Sequence, residues 1–254
     1  MHPILLDLGF YQIRTYGFFT AIAFLIGLYL AALLAKKYKI HEDVIFDLGI
    51  ITIIFTIIGA RTLYVLVNIK DFVADPIGIF KVWEGGLVFF GGLIGAVTAD
   101  LIWMKRKKLP VFKITDICAP FIALGHAIGR LGCYFNGCCY GSENHKYGVV
   151  FPAVGDNLPH LPVQIYESGL NFLNAIFLLL FLKYFKKNDG EVFALYFFIY
   201  GIIRFFMEML RGDATRGFVF GMSTSSFISV FIITIGAVGF VRARFFTTAH
   251  QNKK

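Results

Sequence analysis

Charged side chains are scarce in this 254-residue chain. They make up 16% of the residues, whereas soluble domains carry about 25%. Hydrophobic residues reach 57%, and 30 are phenylalanine. The longest polar stretch is a loop over roughly 133–161, so a large soluble domain is excluded and residues 1–254 are predicted to form a single integral membrane domain. No internal repeat is visible, which disfavours an inverted-repeat transporter.

Two further absences narrow the function. The net charge of +8 might suggest a nucleic-acid partner, but the positive residues recur between apolar stretches and form no single stripe. We therefore expect no nucleic acid. Only four cysteines occur, and the C-x4-C-C spacing from Cys133 to Cys138 and Cys139 lacks the paired spacing of a zinc site. No metal or cofactor is predicted; the thiols either form a disulfide outside the cytoplasm or pack as small apolar residues.

Seven stretches are long and apolar enough to span a bilayer, which requires about 20 residues in a helix. The predicted fold is therefore all-α, a polytopic membrane protein with seven transmembrane helices. The spans are expected at roughly 16–34, 47–67, 87–104, 112–129, 163–182, 192–210 and 220–241. Two small-x3-small patterns, Gly91 with Gly95 and Gly125 with Gly129, predict close helix packing.

The basic residues set the expected orientation. Lysine and arginine cluster after the first, third, fifth and seventh stretches, at Lys36, at 105–108, at Lys186 and at Arg242. Because basic loops stay in the cytoplasm, the N-terminus is predicted outside and the C-terminus inside.

With this orientation, the polar residues of the spans gather at one depth, near the outer leaflet. They begin or end the predicted spans on that side. They are Tyr16, Arg61, His126, Arg130, Gln164, Glu167, Tyr200, Arg204 and Glu208. A channel would need polar groups through the full depth, whereas a one-sided set suits a lipid head group.

Two arginines stand out within this set. Arg130 and Arg204 lie at or in apolar stretches, where ionisable groups are costly and mostly functional. Tyr200, Arg204 and Glu208 share one helical face with Arg211. In the simplest alternative, Arg204 and Glu208 only neutralise each other as an i,i+4 pair. Arginine is also the side chain best suited to grip a phosphate, through two parallel hydrogen bonds.

At this point the chain resembles the bacterial prolipoprotein diacylglyceryl transferases. The segments that carry the resemblance cover nearly the whole sequence. They are Tyr16-Gly17, GGLVFFGGLIG (85–95), GRLGCYFNGCCYG (129–141), QIYE (164–167) and YGIIRFFMEMLRGD (200–213). The resemblance implies an enzyme that transfers diacylglycerol from phosphatidylglycerol to the lipobox cysteine of a prolipoprotein. A thioether would form and glycerol phosphate would be released, so membrane lipid and a signal-peptide segment are the expected partners.

The resemblance also implies roles for single residues. Arg130 and Arg204 match the two phosphate-handling arginines, and Tyr16 and Tyr200 match tyrosines of the site. Glu208 matches a glutamate one turn past the second arginine. Asn136 and Gly141 match loop residues. Gln164, Glu167 and Arg61 join them as candidate lipid-binding residues, and catalytic roles are assigned to Arg130, Arg204, Tyr16, Tyr200, Glu208 and His126.

Two departures from the family pattern affect the expected base. Phe90 stands where the family often has histidine or tyrosine, and Cys133 stands in place of an asparagine. The substrate thiol must become a thiolate. His126, Glu208 or a tyrosine could take its proton, or Arg130 could stabilise the thiolate by charge alone. The departures also leave open a non-catalytic or altered-specificity lipid-binding paralogue.

Overall fold

A computed structural model describes residues 2–9, 12–152, 154–212, 217–219 and 221–246. The chain divides into two compact units. The first contains residues 1–31 and 112–254, and the second contains residues 32–111. The prediction of a single membrane domain stays a prediction.

Helices dominate the described residues. The long ones are α1 (Thr15–Lys37), α2 (Glu42–Val67), α4 (Phe89–Arg106), α5 (Val111–Asn136), α6 (Val163–Tyr184), α7 (Glu191–Met209) and α8 (Thr224–Val241), with the short α3 (Ile69–Ala74) after α2. Two 3-10 turns (Pro76–Phe80 and Val82–Glu84) precede α4, and a π-helical turn (Arg242–Phe246) follows α8. Antiparallel hairpins pair β1 (Ile4–Asp7) with β2 (Gln12–Arg14), β3 (Val149–Val150) with β4 (Pro159–His160), and β5 (Phe218–Val219) with β6 (Met222–Ser223).

Within the described ranges, six helices are long and apolar enough to cross a membrane: α1, α2, α5, α6, α7 and α8. This supports an all-α membrane protein. The third predicted span corresponds to α4, which has 18 residues and carries Asp100, Lys105 and Arg106. The seventh crossing therefore stays a prediction.

Capping interactions explain why two helix ends differ from the predicted spans. Helix α8 begins at Thr224 rather than 220 because the side chain of Ser223 accepts a hydrogen bond from the Ser226 amide; residue 220 itself lies outside the described residues. Helix α5 continues past the predicted end at 129, to Asn136. The predicted loop from Cys133 was therefore wrong at its start, and Cys133 and Asn136 are helical.

Close helix packing in the second unit depends on glycine. A methyl group on Gly59 of α2 would collide with the carbonyl oxygen of Gly91 on α4, and one on Gly95 would lie 2.5 Å from the carbonyl oxygen of Phe55. The Gly91–Gly95 prediction is confirmed. The Gly125–Gly129 prediction was wrong, because a methyl group on either glycine would meet no described atom within 4 Å.

In the first unit, a buried carboxylate fastens the start of α7. Asp116 on α5 is fully buried and accepts hydrogen bonds from the amides of Gly190 (2.7 Å) and Phe193 (2.9 Å). Lys186 lies 2.9 Å from the same carboxylate. A carboxylate is stabilised at a helix N-terminus by free amides and by the helix dipole. Asp116 therefore links α5 to α7 at the end predicted to face the cytoplasm.

Candidate functional site

Helix α6 presents a polar face to the interior of the first unit. Gln164, Glu167, Asn171 and Asn174 recur every three or four residues and are at most 4% exposed. This spacing places them on one side of a helix. Unpaired polar groups are expensive in a hydrocarbon environment, so a buried polar face in an apolar helix marks a site.

Glu167 joins the two predicted phosphate-handling arginines. Its Oε1 lies 2.9 Å from Nη2 of Arg130 on α5, and its Oε2 lies 3.5 Å from Nη1 of Arg204 on α7. The Glu167 side chain is only 3% exposed. One carboxylate thus holds both guanidiniums beside α6, which brings Arg130 and Arg204 to a common place although 73 residues separate them in sequence.

The network continues along α7. Nη2 of Arg204 donates to Oε2 of Glu208 (2.7 Å) and to the hydroxyl of Ser225 at the start of α8 (3.0 Å). Nη1 of Arg211 lies 3.5 Å from the same Glu208 oxygen. The i,i+4 pair of Arg204 and Glu208 is therefore real, but it is one link of a longer chain of alternating charges.

The network contains a buried hydrogen-bond donor that no described residue accepts from. Among its described members, the three guanidiniums of Arg130, Arg204 and Arg211 face the two carboxylates of Glu167 and Glu208. Nη1 of Arg204 is buried and makes no hydrogen bond to a described residue. A phosphodiester carries one negative charge and oxygens that accept such a donor.

His126, one of the candidate bases, lies beside two tyrosines. The ring centroid of His126 is 4.6 Å from that of Tyr200, and its Nδ1 is 3.5 Å from the hydroxyl of Tyr196. His126 and Arg130 are four residues apart on α5, which places them on the same helical face. His126 therefore lies within the site. It can act there as a base or only pack against the tyrosine rings.

The segment after α5 is tied to the ends of α6 and α7. The Gly141 amide donates to the carbonyl of Leu161 (2.8 Å), and the Ser142 amide donates to that of Leu210 (2.9 Å). A methyl group on Gly141 would lie 2.6 Å from Cγ2 of Val163. Gly141 thus permits the close approach that brings this segment to the last turn of α7, and its predicted contact with lipid stays a prediction.

Three other predicted site residues fall at the rim of the network. Gln164 is fully buried, and its Nε2 donates to the carbonyl of Cys138 (2.7 Å). Asn136 is the last residue of α5. Tyr16 is 48% exposed. Its Cα packs against Gly132 on α5, since a methyl group added to Gly132 would lie 3.5 Å from it.

Arg61 belongs to the second unit, where it holds a loop. Its guanidinium donates to the carbonyls of Gly78 (2.5 Å), Ile79 (2.9 Å), Gly85 (2.7 Å) and Gly86 (3.2 Å). These contacts favour a structural role, and the predicted lipid contact stays a prediction. Phe90 is in the same unit and is 48% exposed.

Sequence reasoning missed several polar groups of the first unit. Asn174 is buried, and neither polar atom of its side chain has a hydrogen-bond partner among the described residues. Asn171 donates to the Glu167 carbonyl, and Ser168 donates to that of Ala127 on α5. The signal was present: polar residues continue from Gln164 at helical spacing into the middle of α6. Ser225 offered no signal, because its α8 neighbours are ordinary helix-start residues.

Apolar membrane-length helices around a buried arginine–glutamate network define an integral membrane protein with an ionic cluster in its interior. Comparison with protein families then finds a match over residues 3–242 to the prolipoprotein diacylglyceryl transferases. The chain belongs to the prolipoprotein diacylglyceryl transferase family, which confirms the resemblance carried by its arginine motifs.

Individual relatives match along nearly their whole length. A phosphatidylglycerol–prolipoprotein diacylglyceryl transferase of Clostridium tetani is 39% identical over 249 residues, which cover 96% of this chain and 99% of the relative. A second enzyme of that name from Clostridium perfringens is 34% identical, with 89% of each chain covered. One from Listeria welshimeri is 32% identical over 96% of this chain and 91% of the relative.

Proposed function

We propose that this chain transfers the diacylglyceryl group of phosphatidylglycerol to the lipobox cysteine of a prolipoprotein. The sulfur attacks the glycerol carbon that carries the phosphate ester. A C–S bond forms, the C–O bond breaks, and the electron pair leaves with the oxygen of glycerol phosphate. The thiol proton passes to a base or to solvent.

The convergence of Arg130 and Arg204 on one buried carboxylate is the observation that carries this proposal. The two oxygens of Glu167 lie 2.9 Å from Arg130 and 3.5 Å from Arg204, and the buried Nη1 of Arg204 makes no hydrogen bond to a described residue. The phosphodiester supplies one negative charge in the ground state and gains charge as the ester bond breaks. Preorganised donors stabilise developing charge best where water is excluded.

The remaining residues have supporting roles in this proposal. Glu167 sets the positions of Arg130 and Arg204, and Glu208 orients Arg204. His126 is the candidate base, because it shares a helical face with Arg130 and touches Tyr200. Tyr16, Tyr200 and Asn136 position the head group and thiol. Gln164 and Gly141 shape the rim.

The setting follows from the basic loops. We place the site in the outer leaflet of a bacterial inner membrane, with seven crossings, the N-terminus outside and the C-terminus in the cytoplasm. The exposed side chains of the helices support a lipid surround, since many are apolar, such as Leu25 (62%), Ile50 (56%) and Leu173 (61%). The acyl chains would remain in hydrocarbon while the head group enters the network.

The test is a mass measurement on a lipobox peptide incubated with purified protein and phosphatidylglycerol. We expect a gain of one diacylglyceryl group. Arg130→Ala and Arg204→Ala should each lower the rate by at least about 100-fold, the usual effect of removing a donor to developing charge. Arg106→Ala, an exposed arginine at the end of α4, is the matched control and should leave the rate unchanged.

A different result would favour the non-catalytic paralogue. In that case phosphatidylglycerol would bind, and binding would weaken in the Arg204 variant, but the peptide would gain no mass. The relatives described above carry transferase names and give this alternative no support.

A further inference from the structure

Three cysteines lie together next to Arg130. The sulfur atoms of Cys133, Cys138 and Cys139 are all within 4.8 Å of one another, and those of Cys138 and Cys139 are 3.8 Å apart. All three are free thiols, with Cys133 buried and the others half-buried. Neither a disulfide nor separate packing, the two outcomes expected from sequence, describes this arrangement of three converging sulfurs.

The end of α5 gathers these thiols through its backbone. The Gly137 amide donates to the carbonyl of Tyr134 (3.1 Å), and the Cys138 amide donates to that of Cys133 (3.2 Å). With Gly137 at φ +77°, these two bonds form a Schellman motif. Such a motif brings together the side chains five residues apart across the helix end, which here are Cys133 and Cys138.

Cys139 joins the pair at a conformational cost. Its φ is +63°, in the left-handed region that residues with a side chain seldom occupy. Residues held in this region cluster at functional sites, where the surrounding structure maintains them. The unfavourable backbone turns the third thiol towards the other two, although consecutive residues of an extended chain would point apart.

One of the three sulfur–sulfur distances matches that of a tetrahedral metal site. With zinc–sulfur bonds of about 2.3 Å, tetrahedral geometry separates two ligand sulfurs by about 3.8 Å. That is the distance between Cys138 and Cys139. Thiolates select zinc and other thiophilic cations. Three protein ligands with an open fourth position are typical of catalytic rather than structural zinc.

The charge of Arg130 also suits such a cluster. Three thiolates around a divalent cation carry a net charge of −1. Nη1 of Arg130 lies 4.0 Å from the sulfur of Cys133, while its Nη2 pairs with Glu167. The positive guanidinium lies close enough to Cys133 to offset part of that negative charge. The same contact places the cluster directly beside the network that would hold the phosphate.

We propose that Cys133, Cys138 and Cys139 bind one thiophilic divalent cation such as Zn²⁺, and that its fourth position takes the lipobox thiol as a thiolate. This second part rests on the proposed transferase function. Coordination releases the thiol proton to solvent, because a metal-bound thiol is deprotonated. The bound sulfur then forms the C–S bond, and the electron pair of the broken C–O bond leaves with glycerol phosphate beside Arg130. No oxidation state changes.

This proposal accounts for the two departures from the family pattern together. Phe90 removes an imidazole or a phenol, and Cys133 replaces an amide with a thiol. A cation held by Cys133 and its two neighbours generates the thiolate without a side-chain base. His126 would then be a positioning residue for Tyr200 rather than the proton acceptor.

Cobalt substitution tests the metal site without relying on catalysis. The full-length protein in detergent, reduced with a phosphine and freed of metal, is titrated with Co²⁺. We expect one Co²⁺ per chain, with thiolate-to-cobalt charge-transfer bands and the intense visible bands of a tetrahedral site. Cys138→Ser and Cys139→Ser should lose these bands. Cys118→Ser, about 22 Å further along α5, should keep them.

The wild-type titration also covers the case in which the serine variants fail to fold. If the reduced wild-type protein shows no thiolate-to-cobalt bands, the metal site is wrong, whatever the variants do. The metal site is also wrong if a disulfide re-forms among these cysteines in the presence of phosphine and prevents cobalt binding.

A lipobox peptide tests the open position in the absence of phosphatidylglycerol. The peptide should shift the cobalt bands, and the same peptide with serine for cysteine should not. If the bands do not respond to the thiol, the nucleophile role is refuted while the cation site stands. Because no lipid is present, failure of the transferase proposal would leave this response unchanged, so the two failures are distinguishable.

Chelation then links the site to the reaction. Transfer should fall at least tenfold in metal-free protein and recover with one equivalent of Zn²⁺. Undiminished transfer by protein containing less than about one-tenth of an equivalent of metal would contradict the proposal, even if cobalt binds.

Discussion

Removing the charge of Glu167 tests whether this residue holds the two arginines together. The substitution Glu167→Gln keeps the shape and one acceptor oxygen but deletes a carboxylate that is 3% exposed and contacts Arg130 at 2.9 Å and Arg204 at 3.5 Å. Loss of one partner from a buried ion pair costs about 3–5 kcal/mol. The remaining amide oxygen can still accept one bond from a cation, worth about 1.5–3 kcal/mol.

The expected net loss is therefore about 1.5–2 kcal/mol in the free energy of unfolding. This corresponds to a roughly 10- to 30-fold change in the folding equilibrium, at about 1.4 kcal/mol per factor of ten. The measurement is equilibrium unfolding in mixed micelles, followed by helical circular dichroism over a titration with denaturing detergent. Transfer of diacylglycerol to a lipobox peptide is measured in parallel and should fall with the stability.

A matched control separates burial from charge. Glu42→Gln removes a half-buried glutamate, 35% exposed, that pairs with Lys36, whose side chain is 55% exposed. Exposed pairs contribute less than about 1 kcal/mol, so this variant should unfold like the wild type. The double variant Arg130→Gln with Glu167→Gln should lose less stability than the two single losses combined, because it leaves no unpaired charge between α5 and α6. A Glu167 variant within about 0.5 kcal/mol of wild type would refute the reasoning.

Other features of the molecule give further predictions. Gly95→Ala places a methyl group 2.5 Å from a carbonyl oxygen of α2 and should cost about 1–3 kcal/mol of unfolding free energy. The methyl group of Gly125→Ala would contact no described atom, so this variant should be neutral or more stable by up to about 1 kcal/mol. Equal losses of stability in the Gly95 and Gly125 variants would contradict this difference in packing. Gly141→Ala should detach the segment after α5 from the end of α7, seen as faster hydrogen exchange there and slower transfer. Hydrogen bonds from the Leu158 amide and the His160 ring hold the pKa of Asp156 below its ordinary value. The stability that the ionised Asp156 contributes is complete above about pH 4 and is lost as the pH falls through the depressed pKa. Amide protection in the β3–β4 hairpin should therefore drop as the pH falls through that pKa. Asp156→Asn should lack that drop, and a drop of the same size in this variant would exclude Asp156 as the cause.

The long apolar runs made the helices predictable, because few other structures satisfy backbone groups in a membrane. The polar ends of those runs also indicated most of the site. Arg130, Glu167 and Arg204 were placed at one depth by topology alone, and the structure brings their side chains into contact.

What could not be predicted depends on local backbone geometry and on contacts distant in sequence. The end of α5 is determined by two hydrogen bonds around Gly137, and the same turn gathers three cysteines whose spacing resembles no common metal motif. The partners of Arg61 are carbonyls of a loop 17 to 25 residues away. The prediction of close helix packing at Gly125 and Gly129 was wrong because a pattern of small residues does not show whether another helix lies beside them.

The position of Asp116 has a mechanical consequence for the site. Arg130 lies fourteen positions after Asp116 on α5, and Arg204 lies fourteen positions after Gly190 on α7. The two helices run in the same direction and are joined at both ends, by Asp116 at one and by Glu167 at the other. Over the roughly 21 Å between these joints, neither helix can slide past the other without breaking one of them. The separation of the two guanidiniums is thus set in part by a contact about 21 Å away, at the opposite end of both helices.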